Sequence, residues 1–297
     1  MGYLFLVTAL FAGATKGFCG KKISGYTSGY RDAMLANTLR MILCIVIGII
    51  LIISEGSIAY LIPTMKLTLI SALSGITTSV FVVTWLISVK KGSYMMLDVF
   101  LMLGTLVPLI LSRIFFAEAV LWNHILGIFI LLIAVIIMCS YNNSIKEKIS
   151  ISAFLILVLC GIANGFTDFS QKLFVKQMAG VPVSVFNFYT YVFSAVTLLV
   201  FFFLLKNKED NAEEKSMGIK NVFGYIFVMS VCLFANSYFK TLAAEYLDSA
   251  RLYPLNQGSA LILSSVMSAI FFKEKMTLKG IIGIALSFVG LLVINVL

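Results

Sequence analysis

Ser112-Arg-Ile-Phe-Phe-Ala-Glu118 recurs 156 residues later as Ser268-Ala-Ile-Phe-Phe-Lys-Glu274. Nine residues after each glutamate stands a glycine, Gly127 or Gly283, and each is followed by isoleucine, Ile128 or Ile284. Across residues 112–128, eight of seventeen positions are identical to their counterparts, more than shared apolar composition gives. A weaker echo joins Gly13-Ala-Thr-Lys-Gly17-Phe18 to Gly161-Ile-Ala-Asn-Gly165-Phe166, and Asn37 and Asn187 hold similar places in the second helix of each copy. The pattern is an internal duplication. It divides the chain into residues 1–145 and 146–297, joined by the polar stretch Tyr141 to Ser150.

What is duplicated follows from composition. The 297 residues are 61% hydrophobic and 12% charged, with a mean hydropathy of +1.05, where soluble domains carry about 25% charged residues. Apolar runs recur along the whole length, and in lipid each must satisfy its own backbone hydrogen bonds as a helix or a closed barrel. The runs are continuous rather than alternating, so they are helices. A span needs about 20 apolar residues, and ten are expected: 3–23, 32–53, 66–89, 94–115, 120–140, 151–173, 182–205, 221–245, 250–272 and 277–296. The fold class is therefore an all-α membrane protein with five spans in each half. The mixed-charge segment Lys206 to Lys215 belongs in water. Met1 leads almost at once into the first span, which is read as a membrane helix rather than a cleaved signal.

An odd number of spans per half makes the second copy enter the membrane from the opposite side, an inverted-topology repeat. Loop charges agree. Of 22 lysines and arginines, Lys16, Arg40 and Lys240 lie inside spans; fourteen fall in odd-numbered connections and five, including Lys172, in even-numbered ones. By the positive-inside bias both termini lie outside the cell, with a plasma membrane as the expected location. The same bias accounts for the net charge of +9 without nucleic acid as a partner. The cysteines Cys19, Cys44, Cys139, Cys160 and Cys232 show neither metal nor disulfide spacing and read as small buried hydrophobes. No metal or cofactor is implied. Two complete halves could form a cavity in a monomer, and a homodimer is equally open.

At this point the chain resembles the drug/metabolite transporter superfamily, of the type with two EamA domains. The resemblance covers nearly the whole sequence. Its signature closes each half: Pro108 or Ser264 within a span, then Phe-Phe-x-Glu, then Gly-Ile and a last apolar helix. Glu118 and Glu274 match the glutamate after the fourth and ninth helices of that family. Gly13-Ala-Thr-Lys-Gly17 stands where the first helix often carries a tryptophan-glycine stretch, and the tryptophan is missing here. The resemblance implies ten helices around a central cavity with alternating access, and it leaves the substrate open.

Polar groups inside spans are costly and tend to face a cavity. Lys16, thirteen residues into the first span, is a candidate for an anionic substrate group. Asp168 in the sixth is the candidate proton carrier, a partner for Lys16 by repeat equivalence; Asp98, five residues into the fourth, is its rival. Arg40 stands one turn after Asn37. Asn187, Tyr189 and Tyr191 in the seventh span offer neutral hydrogen bonds. The densest set is Asn236, Tyr238 and Lys240 in the eighth with Tyr253, Asn256 and Gln257 in the ninth, where Pro254 is expected to loosen the helix. Each has a structural alternative: snorkelling for Lys16, a helix-start position for Asp98, a tie between helices for Arg40 and interhelical hydrogen bonding for the amides. Glu118 and Glu274 read as helix caps, the Gly13/Gly17 and Gly161/Gly165 pairs as close packing, and His124 as interfacial.

No His-Glu-x-x-His, Gly-x-Ser-x-Gly or Gly-x-x-x-x-Gly-Lys-Ser/Thr pattern occurs, so catalysis has little support and transport is expected to be secondary, with a coupling proton or ion or by exchange. Lys16, Arg40 and Lys240 outnumber Asp98 and Asp168, which points to a small polar substrate with an anionic group, such as an amino acid or a phosphorylated or sugar compound. Efflux of amphipathic drugs, favoured by 25 Phe and 12 Tyr, remains an alternative. An intramembrane enzyme or lipid flippase is the remote one.

Overall fold

The computed structural model describes residues 1–26, 30–90, 94–139, 151–205, 219–271 and 278–296. Among them the chain forms eleven α-helices, one short 3-10 turn and no strand. The helices are α1 (Gly2–Ser24), α2 (Tyr30–Ser54), α3 (Met65–Lys90), α4 (Tyr94–Gly104), α5 (Leu106–Phe116), α6 (Trp122–Cys139), α7 (Ile151–Gln177), α8 (Val183–Leu205), α9 (Ile219–Tyr246), α10 (Ser249–Phe271) and α11 (Leu278–Val296). Six of them, α1, α2, α3, α7, α8 and α9, are long and apolar enough to cross a membrane.

The surface is inverted relative to a water-soluble bundle. Phe11, Ile53, Phe129, Phe203 and Phe288 are exposed, while Asn37, Ser79, Ser194, Asn187 and Thr241 are buried. Lipid makes the exposed apolar faces favourable, and the buried hydroxyls and amides find partners between helices. Ser79 Oγ, for example, meets Ser194 Oγ at 2.9 Å and joins α3 to α8.

The fourth apolar run is two helices rather than one. Pro108 has no N–H to give the carbonyl of Gly104, and its ring crowds that carbonyl. The chain breaks at Thr105, whose hydroxyl turns back to Met102 O at 2.7 Å. Pro254 has a milder effect: α10 continues through it, so the expected loosening of that helix is not seen. At the end of α5, Ala117 takes a left-handed conformation (φ 53°) and turns the chain so that Glu118 points inward. Lys172, assigned above to a connection, lies inside α7 and is 1% exposed. Tyr141–Ser150, Lys206–Lys215 and Glu274 lie outside the described residues, as do the side chains of Asp98 and Ser264.

The main pairings are α1 with α9, α3 with α7, α2 with α8, and α6 with α11. The α4–α7 contact is closest. A Cβ on Gly161 would sit 2.2 Å from Phe100 O, and one on Gly165 2.3 Å from Gly104 O. Gly161 and Gly165 thus let two backbones meet, as the small-residue spacing suggests. In the first copy the pair has diverged: Gly17 lines a cavity, and a Cβ on Gly13 would meet the Asn236 amide at 3.0 Å. Gly161→Ala is expected to lower stability by about 1–3 kcal/mol, because the obstructing atoms are backbone. Gly224→Ala, with nothing within 4 Å of the added carbon, should change it by less than about 1 kcal/mol. Thermal unfolding of the two purified variants in one detergent checks the contrast.

Candidate functional site

Four helices present polar residues at helical spacing to one interior space. Along α7 the stripe is Asn164, Thr167, Asp168 and Gln171, separated by three or four residues and so on one face. On α9, Asn236, Ser237 and Lys240 repeat the pattern. α1 adds Lys16 and α10 adds Asn256 and Gln257. All of these but Asp168, which is sealed behind Lys240, line a cavity of about 150 Å³, with Phe81 and Trp85 of α3 as an aromatic wall. The lining follows α1 to Lys21, α3 to Trp85 and α10 to Met267, so the cavity extends toward the bundle end that carries Ser24.

The charged groups divide into a paired set and an unpaired one. Lys240 Nζ donates to Asp168 Oδ1 at 2.5 Å, and both side chains are nearly sealed from solvent (8% and 1% exposed). The Tyr253 hydroxyl donates to the Asp168 backbone oxygen at 2.6 Å, tying α10 to the same turn of α7. Asp168 therefore pairs with Lys240, not with Lys16 as repeat equivalence suggested, because α7 and α9 both face the cavity at this level. Lys16 Nζ lies 5.9 Å from the centroid of Phe81, a cation–π distance. Among the described residues it makes neither an ion pair nor a hydrogen bond, and Asp168 acts on it only from beyond ion-pair distance. Asn236 is half committed: its amide donates to Ala9 O at 2.7 Å, joining α9 to α1.

Three expected site residues stand off the cavity. Arg40 is buried (2% exposed), with Nη1 donating to Asn37 Oδ1 and Nε unpartnered. Asn187 connects only through Ser237, whose hydroxyl donates to Asn187 Oδ1 at 2.8 Å and accepts from Gln171 at 3.1 Å. Tyr189 is not brought to the cavity at all: its hydroxyl donates to Leu61 O at 2.6 Å, near the end that carries Gly2. Tyr238 turns the same way, toward Glu55 Oε1 at 3.1 Å.

A buried ion pair lies at that Gly2 end. Glu118 Oε1 lies 3.0 Å from Lys172 Nζ, and the two side chains are 5% and 2% exposed. Lys172 also donates to Ala244 O (3.0 Å), in the last turn of α9, and to Leu247 O (2.7 Å), just past its end. Glu118 Oε2 accepts the Ser249 backbone N–H at 2.8 Å, so it caps the first turn of α10 rather than its own helix α6. Burial, the largest influence, pushes the Glu118 carboxyl up; the Ser249 N–H and the Lys172 ammonium outweigh it and hold the group below the ordinary glutamate value.

A polar cavity thus lies amid apolar helices, with a buried ion pair at one end. The model of the EamA-like transporter family matches residues 146–296, slightly more than half of the chain. The chain belongs to the EamA-like transporter family. That places it in the drug/metabolite transporter superfamily and makes it a membrane protein. One solved crystal structure aligns with 99% of this EamA-like chain and 96% of its own, at a TM-score of 0.74 and 13% sequence identity; the likeness shows a shared fold across the whole length. A comparison with curated proteins gives no match.

Sequence reasoning passed over Gln171, Ser237, Phe81 and Lys172 of this EamA-like protein. For Gln171 a signal was present: it stands three residues after Asp168 and seven after Asn164, on the same helical face. Lys172 stands four after Asp168 and was hidden by its nearness to a span end, where lysines usually reach water.

Proposed function

We propose that this EamA-like protein is a secondary active transporter that moves a small polar metabolite bearing an anionic group, by alternating access to the cavity between α1, α7, α9 and α10. The observation that carries it is Lys16: a lysine lining an interior space that makes no ion pair or hydrogen bond among the described residues. A charge placed within a span is costly unless a counter-charge arrives, and a substrate anion supplies one. Asn236, Asn256 and Gln257 offer the neutral donors and acceptors that a polar metabolite needs.

A ten-span inverted repeat accounts for the packing. Exchanging the first and sixth spans, and the third and eighth, turns the α1–α9 contact into the α7–α3 contact, and leaves α2–α8 and α6–α11 unchanged. With the lysine-rich Ser24 end in the cytoplasm, both termini lie outside a plasma membrane and the cavity faces inward. The Gly2 end, with its buried ion pair, is then the outer gate, and Asp168, joined to Lys240, is the group through which a proton could be coupled.

Uptake into proteoliposomes tests the reading. Lys16→Met is expected to reduce uptake of an anionic metabolite at least tenfold, the loss of one charge-assisted contact worth about 1.5–3 kcal/mol. Uptake unchanged by Lys16→Met, or confined to hydrophobic cations, would sink the anion reading and leave drug efflux in its place.

A further inference from the structure

Much of the polar stripe around the cavity already serves the protein. The Asn236 amide donates to Ala9 O at 2.7 Å, the Gln171 amide to Ser237 Oγ at 3.1 Å, and the Thr167 hydroxyl to Ala163 O at 3.0 Å. Of the lining amides, Asn256 and Gln257 of α10 make no hydrogen bond to another described residue, and Lys16 belongs to α1, which packs on α10. The rest of the lining is largely apolar. Phe81 and Trp85 stand four residues apart and so share one face of α3, and α4 adds Leu101 and Met102. Lys16 Nζ lies 5.9 Å from the Phe81 centroid, so the lysine and the aromatic wall meet at one place. The volume, about 150 Å³, is that of a cavity that holds one benzene ring.

Resting on the transport reading above, we propose that the substrate is an aromatic monocarboxylate of a single ring, without an ammonium group. The carboxylate pairs with Lys16 and draws it off the Phe81 face, where 5.9 Å is near the outer limit of a cation–π contact. The ring then lies along Phe81 and Trp85, and Asn256 and Gln257 serve the second carboxylate oxygen or a ring hydroxyl. A sugar is poorly served, because each hydroxyl taken from water without a partner costs free energy and the amides of Asn236 and Gln171 are engaged. An amino acid brings an ammonium group that needs a carboxylate, and Asp168 is 1% exposed and held by Lys240. Rejection of such ligands gives specificity as much as attraction of the right one does.

Isothermal titration of the full chain in nanodiscs tests this with phenylacetate, cyclohexylacetate, glucuronate, phenylalanine and 2-phenylethanol. Phenylacetate is expected to bind about tenfold tighter, or more, than glucuronate and phenylalanine, with 2-phenylethanol silent. Against cyclohexylacetate, which has the same charge and an aliphatic ring, the margin is expected to be about threefold or more, the yield of a ring-on-ring contact. Phe81→Leu keeps an apolar side chain and should bring that margin close to one, whereas Phe81→Tyr should keep it. If Phe81→Leu does not fold, the order of the wild-type affinities decides. Glucuronate, phenylalanine or cyclohexylacetate binding as tightly as phenylacetate, or a margin unchanged in Phe81→Leu, overturns the aromatic monocarboxylate while leaving an anion transporter. Binding of 2-phenylethanol as tight as that of phenylacetate, or silence from every carboxylate, overturns the anion reading itself.

Discussion

Lys172→Met is expected to destabilise the protein by about 3–5 kcal/mol, the cost of leaving a buried charge without its partner. The orphan is Glu118, 5% exposed and 3.0 Å from the missing ammonium. Lys176, at 3.6 Å and 41% exposed, can compensate only in part. The variant also strips a donor from Ala244 O and Leu247 O, buried carbonyls at and just past the end of α9. Glu118→Gln in the same background should recover much of the loss, because an amide in that place leaves no net charge and can still accept the Ser249 N–H. Thermal unfolding of wild type, both single variants and the double variant forms the cycle that isolates the pair. A single-variant loss under about 1 kcal/mol would show that water reaches Glu118 and that the Gly2 end is not sealed. The pH dependence has a definite sign. Because Glu118 is held below the ordinary glutamate value, its contribution is full at neutral pH and is lost as pH falls below about 4.3.

The fold was open to reading because lipid imposes one requirement on every span. The expected apolar runs fall mainly on α-helix among the described residues, the fourth on two helices, and six helices are long and apolar enough to cross a membrane. The break at Thr105 escaped because a proline in an apolar run reads as tolerated until the carbonyl it disables, that of Gly104, is seen against Gly165 of α7. The cavity was half readable. Lys16, Asn236, Lys240, Asn256 and Gln257 drew notice as polar residues in apolar runs, and all five line it. Rotation about the helix axis was the missing information. Tyr189 and Tyr191 stand two residues apart on α8 and so point to different sides: Tyr191 reaches the cavity wall, while Tyr189 reaches Leu61. Pairing was invisible for a related reason. Repeat equivalence places α1 and α7 in matching roles but does not bring their side chains together, so the choice between Lys16 and Lys240 as partner for Asp168 depended on packing against α9.

That choice makes Asp168→Asn the sharper probe of function. The substitution keeps shape and hydrogen bonding but leaves Lys240 buried and unpaired on a cavity that Lys16 also lines. Stability is expected to fall by about 3–5 kcal/mol, and anion uptake in proteoliposomes to drop at least tenfold, since Lys240 loses the partner that fixes its place at the cavity. Asp168→Asn combined with Lys240→Met removes both charges and should restore most of the stability, as replacement of a whole buried pair usually does. Uptake separates the roles. If the pair merely joins α7 to α9, the double variant regains transport along with stability. If Lys240 exchanges between Asp168 and substrate during the cycle, the double variant melts like wild type and stays inactive. The second result is the expected one, because Lys240 lines the cavity rather than lying behind it. A carrier needs a cation that its own acid can hold when the substrate has left.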